Sequence, residues 1–153
     1  MVSESMTAPA LPPVSLRRRD GWESRLAAVL EAARARPYVL GEADCLRTAC
    51  EVVAALTGVD FWPRFAGYRT KREALVTIAR IAPSLGEAVS ATLGVPPIRV
   101  FVAWRGDLVL YRDERGEDHL GISIGPQVAL AAAEGWQLIP LSHPGLVCAW
   151  RVG

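Results

Sequence analysis

The chain divides by the period of its apolar positions. Over the first half they recur at three- and four-residue intervals; over the second they alternate or run in short blocks. Trp22, Leu26, Val29, Leu30 and Ala33 predict a helix over 22–36, closed by Pro37. A second helix is expected to begin at Cys45, directly after the N-cap candidate Asp44, and to run through Leu56 to a stop at Gly58. Thr70 with Glu73, and Ser84 with Glu87, form capping-box patterns. They open two further helices, stopped by Pro83 and Gly94, and Leu75, Ile78 and Ala82 are expected to be the buried stripe of the first. Phe61, Trp62, Phe65 and Tyr68, interleaved with Pro63 and Gly67, make a connection suited to capping a core edge or walling a groove. Strand-like runs follow at 100–103, 107–111, 119–124, 127–133, 135–141 and 146–152, separated by Gly- and Pro-containing turns. Helices first and an antiparallel meander afterwards predict one α+β domain over 20–153. Residues 1–19, with Pro12-Pro13 and the run Arg17-Arg18-Arg19, are expected to form a flexible, solvated arm.

Composition narrows the function classes. A net charge of +1 gives no electrostatic footprint for nucleic acid or an anionic membrane. No apolar run approaches the ~20 residues of a membrane span, and the first residues lack the pattern of a secretory signal. Three cysteines without C-x-x-C spacing predict neither a disulfide framework nor a metal site, and no cofactor is expected. Cys45 and Cys50, five apart on one helix, point about 140° away from each other.

The chemistry concentrates at Cys45. A cysteine at a helix start meets unpaired N–H groups and the positive end of the dipole, which favour a thiolate. Asp44 opposes this unless its carboxylate is occupied in capping. A small buried hydrophobe is the plainer role for the same residue. In the alternating strand, Leu120, Ile122 and Ile124 share one face and His119, Gly121 and Ser123 the other. That second face is small and polar, so His119 could stand against the start of the Cys45 helix as the base of a Cys–His pair, or simply occupy a strand edge. His143 lies in a turn.

Taken together, Tyr38-x-x-Gly41 leading to Asp44-Cys45, then Gly106-Asp107-Leu108-Val109, then His119-Leu120-Gly121-Ile122-Ser123-Ile124-Gly125 resemble three blocks of the NlpC-type papain-like cysteine peptidases. The likeness covers roughly residues 22–152. It implies helices packed on an antiparallel sheet of about five to six strands, Cys45 as nucleophile and His119 as general base. It also implies Tyr38 and Asp44 beside the substrate, Asp107 as a structural turn residue, and hydrolysis of an amide in peptidoglycan stem peptides. The compact helices and the trailing Cys148-Ala149-Trp150 are similar to the branch carried by tailed phages and gene-transfer agents. Partner tail or hub proteins and a place on the virion tail would follow.

The sequence departs from the family pattern at two places. Leu46-Arg47 replace the usual Ser-Gly after the cysteine. The strand after His119, where a polar residue should orient the imidazole, reads Val128-Ala129-Leu130-Ala131-Ala132, with Gln127 and Glu134 only at its ends. A second expectation is therefore a degenerate structural or adaptor protein of the tail tip, and a third an intracellular amidase or acyltransferase on the same fold.

Overall fold

The computed structural model describes residues 15–153. Among the described residues four helices occupy the first half: α1 (Trp22–Ala35), α2 (Cys45–Thr57), α3 (Lys71–Ala79) and α4 (Leu85–Leu93). The caps read from the sequence are the ones used. Asp44, Thr70 and Ser84 each accept a backbone N–H three residues on, and Gly58 and Gly94 end α2 and α4 in the left-handed region. Five strands follow, β1 (Leu108–Arg112), β2 (Asp118–Ser123), β3 (Gln127–Ala132), β4 (Gly135–Pro140) and β5 (Leu146–Trp150). They form one antiparallel sheet in the order β4-β3-β2-β1-β5, so the meander runs outward from β1 to β4 and the chain then returns to lay β5 on β1's other side. The protein is thus α+β, with its helices ahead of the sheet in sequence.

The principal core lies between α2 and one face of the sheet. Val52 and Leu56 of α2, both fully buried, pack in the same cluster as Leu108, Leu110, Leu120, Ile122 and Trp150. Trp150 also anchors α4, its Nε1 donating to Ser90 Oγ at 2.8 Å. On the other face Val109, Val128, Leu130, Ile139 and Ala149 form a second cluster, against which Cys45 packs. Among the described residues no helix is long and apolar enough to cross a membrane.

Three expectations are corrected. The run at 100–103 is a 3-10 turn, Val100–Val102, and not a strand. The carboxylate of Asp107 accepts Trp104 N–H at 2.7 Å while its own N–H donates to Trp104 O, which folds the segment back before β1 can begin. Phe101 is left 77% exposed. Second, α3 buries no residue: Leu75 is 59% exposed, and Ile78 and Ala82 are only half-buried. The helix leans on the core through Ala74, with Ile81 just beyond its end, and turns Leu75 and Ile78 towards a cleft.

Third, the end of the arm is anchored. Residues 1–14 of the expected arm lie outside the described residues, but Arg18 is clamped between distant parts of the chain. Its Nη2 pairs with Asp107 at 2.9 Å, its Nε donates to Val152 O and its Nη1 to Arg105 O. The guanidinium also lies over the ring of Trp22.

Candidate active site

The site is built on the start of α2. Val39 and Ala43 pair across a tight loop whose apex, Gly41, has φ +82°. Gly41 N–H donates to Asp44 Oδ2 at 2.8 Å, Arg47 N–H donates to Asp44 Oδ1 at 2.8 Å, and the Tyr68 hydroxyl donates to Asp44 Oδ2. Asp44 is 2% exposed, and its carboxylate holds the loop, the helix start and the aromatic connection together. Asp44 also lines the cleft, where it was expected beside the substrate, with three donors already on its carboxylate. Gly41 is required twice over, by its left-handed backbone and by a Cβ that would stand 2.1 Å from Tyr68 O. Gly41→Ala should therefore lower stability by about 3 kcal/mol, combining αL strain with backbone overlap. Thermal unfolding followed by circular dichroism checks this, and an unchanged midpoint would show that the loop relaxes freely.

Cys45 comes next, beside the sheet. Ile124 N–H donates to Gln127 O, so the amides of alternate β2 residues, Ile122 and Leu120 among them, point towards β3. Pairing between β2 and β3 covers only Ile122 with Ala129 and Ser123 with Val128; towards the start of β2 the two strands part. Cys45 packs against the cluster on this side of the sheet, and the nearby Leu120 N–H acts on its sulfur in the sense that lowers the thiol. The Cys45 and Leu46 N–H groups act on the sulfur in the same sense, and all three favour the thiolate. Burial acts more strongly, and with the neighbouring Asp44 carboxylate it pushes the thiol up to about 11. A thiol raised this far keeps its proton at neutral pH. Cys50, facing the core, is pushed up further, to about 12, chiefly by burial.

Cys45 and His119 line one cleft, together with Tyr38, Leu75, Ile78 and Glu117. The expected small polar face of β2 is open only at this His119 end. Gly121 is covered by β3, where an added Cβ would meet Val128 Cγ1 at 2.5 Å, and Ser123 is fully buried. Tyr38 lies by the sulfur. Its hydroxyl is pushed up to about 12 by burial, then by the nearness of Cys45 and Asp44.

The imidazole partner missing from β3 stands elsewhere. His119 Nε2 is 2.9 Å from Oδ2 of Asp113, in the turn that joins β1 to β2. The same carboxylate closes that turn, its Oδ1 accepting Arg115 and Glu117 N–H at 2.9 Å each. The His119 contact, then these backbone bonds, hold the Asp113 carboxyl below the usual range. Gln127 is remote, paired with Pro140 at the far end of β3. Glu134 borders an adjoining depression that His119 and Tyr38 also line.

Lys71 Nζ, at the start of α3, meets Glu117 at 2.6 Å and ties the helix to the hairpin beside the cleft. Asp113, Glu117 and His119 bring one ligand atom each within 4.8 Å of one another, a set able to chelate a divalent cation. Lys71 already neutralises Glu117, and the Asp113–His119 contact explains the grouping without an ion. His143 serves its own turn, its Nδ1 accepting Gly145 N–H.

Asp113 carries a signal that sequence reading missed. Alternation along the hairpin puts Tyr111, Asp113, Glu117 and His119 on one face, and the Tyr111–His119 pairing makes Asp113 a diagonal neighbour of the imidazole.

No curated protein matches the sequence. One family model, described as a domain of unknown function, DUF6950, matches residues 17–152, nearly the whole described chain including Cys45, Asp113 and His119. The chain belongs to the DUF6950 family.

Proposed function

We propose that the chain is a papain-like cysteine hydrolase acting on amide bonds of peptidoglycan stem peptides, carried on a phage-type tail beside hub or tail proteins. The substrate and the setting rest on the resemblance to NlpC-type peptidases. The chemistry rests on one observation: a helix-start cysteine lines a cleft with a histidine whose Nε2 meets a carboxylate.

In this reading the Cys45 thiol attacks the carbonyl carbon as His119 takes its proton. The oxyanion gathers at the N–H groups of the α2 start, which are unpaired within the helix. The imidazolium returns the proton to the departing amine, leaving a thioester on Cys45. Water, deprotonated by His119, then attacks the thioester and releases the acid and the thiol.

The raised thiol supports the second reading, a tail-tip adaptor that keeps the fold without the reaction, because a sulfur that stays protonated is a poor nucleophile. One experiment separates the two. Alkylation of Cys45 by iodoacetamide at about pH 7.5, followed by mass spectrometry of the Cys45 peptide, should slow about 100-fold in His119→Ala, a typical general-base contribution. Only the rate limb rising towards a midpoint of about 11 should remain. Synthetic stem peptides should be cleaved by the wild type and left intact by Cys45→Ala. Equal alkylation rates with uncleaved peptides would sink the hydrolase and leave the adaptor.

A further inference from the structure

We infer that Asp113, reaching back from the β1–β2 turn, is the residue that fixes the tautomer and orientation of His119, a positioning role the strand after His119 cannot fill. The inference rests on the hydrolase reading for its consequence, but not for its geometry. An ionised carboxylate is an acceptor only. Its contact at 2.9 Å therefore requires Nε2 to carry a proton, so that in the neutral ring Nδ1 is the nitrogen able to act as base.

Asp113 is built for this task. Oδ1 is committed to the N–H groups of Arg115 and Glu117, so the side chain cannot rotate away without opening the turn. Oδ2 is thereby aimed at the ring. Asp113 N–H donates to Glu117 O and Gly116 N–H to Asp113 O, which makes the turn rigid on its own account. Lys71 fixes the other limb through Glu117. On β3 the neighbouring positions are Leu130, Ala131 and Ala132, whose side chains have no polar atom.

The test uses a substitution that keeps the turn and reverses the contact. In Asp113→Asn the amide oxygen can still accept the two backbone N–H groups, while its NH2 now faces the ring. Nε2 must then accept, and the proton moves to Nδ1. In protein carrying 15N-labelled histidine, wild-type His119 should show the Nε2–H tautomer when neutral, and Asp113→Asn the Nδ1–H tautomer with an unchanged melting temperature. Cys45 alkylation at about pH 7.5 should fall in Asp113→Asn to the rate of His119→Ala, roughly 100-fold below wild type.

An Nδ1–H tautomer in the wild-type spectrum would overturn the inference without any variant, so failure of Asp113→Asn to fold leaves it testable. Unchanged tautomers, or an Asp113→Asn rate equal to wild type while His119→Ala is slow, would overturn it too. If His119→Ala itself reacts like wild type, the hydrolase reading falls. The tautomer measurement still decides whether Asp113 orients the ring.

Discussion

Asp107→Ala should lower the stability of the fold by about 3–5 kcal/mol, the range for removing one partner of a buried ion pair. Asp107 is fully buried, and its two oxygens hold three separate parts of the chain: Arg18 ahead of α1, Trp104 before β1 and Val152 after β5. Truncation strands the Arg18 guanidinium, whose side chain is only 7% exposed. It also leaves the Trp104 and Val152 N–H groups without their acceptor, each a further penalty in a site that water does not reach. Domains of this size are typically stable by about 5–15 kcal/mol, so the loss should be visible as a large drop in the urea midpoint. Arg18→Ala should be milder, because Asp107 keeps two backbone donors. The double variant should fall well short of the summed single effects, since the two changes remove one shared interaction. Additive losses would mean that the Arg18–Asp107 contact contributes nothing beyond its neighbours.

Asp107 also marks where the sequence stops being informative. The helix starts were legible because caps are local: Asp44, Thr70 and Ser84 act on N–H groups three residues away. Arg18 and Asp107 are 89 positions apart, and nothing local tells a solvated arginine from one that closes a fold. The failure of the α3 stripe has the same root. Periodicity shows that Leu75 and Ile78 share a face, but whether another element covers that face depends on packing.

At the site, a common cleft for Cys45 and His119 could be anticipated from residue types. The parting of β2 and β3 could not, because it depends on where pairing ends between two strands that both read as ordinary. Asp113 was missed for a different reason. The family pattern places a polar residue on the strand after His119, whereas the carboxylate that meets the ring comes from the turn that precedes it, through alternation along the hairpin.

Asp44→Ala should be as disruptive as Asp107→Ala, at about 4 kcal/mol. Loss of an N-cap accounts for roughly 1 kcal/mol. The rest comes from the Tyr68 hydroxyl and Gly41 N–H, which lose a buried acceptor at about 1–3 kcal/mol each. Asp44→Asn is the informative companion, because asparagine still caps a helix but carries no charge. The carboxylate of Asp44 is one of the causes that raise the Cys45 thiol, so removing its charge should bring the thiol down from about 11. Measured in the His119→Ala background, the alkylation midpoint should therefore shift to lower pH in Asp44→Asn. The same shift has a stability consequence with a definite sign. A thiol raised from 9.0 to about 11 keeps its proton in the folded chain where the unfolded chain releases it. Folding thus loses stability as pH climbs through that window, and the effect is absent below it. Asp44→Asn should lose less than wild type between pH 9 and 11, whatever its stability at neutral pH. An alkylation midpoint that does not move would show that burial alone sets the thiol, and that Asp44 is a cap with no electrostatic hold on Cys45.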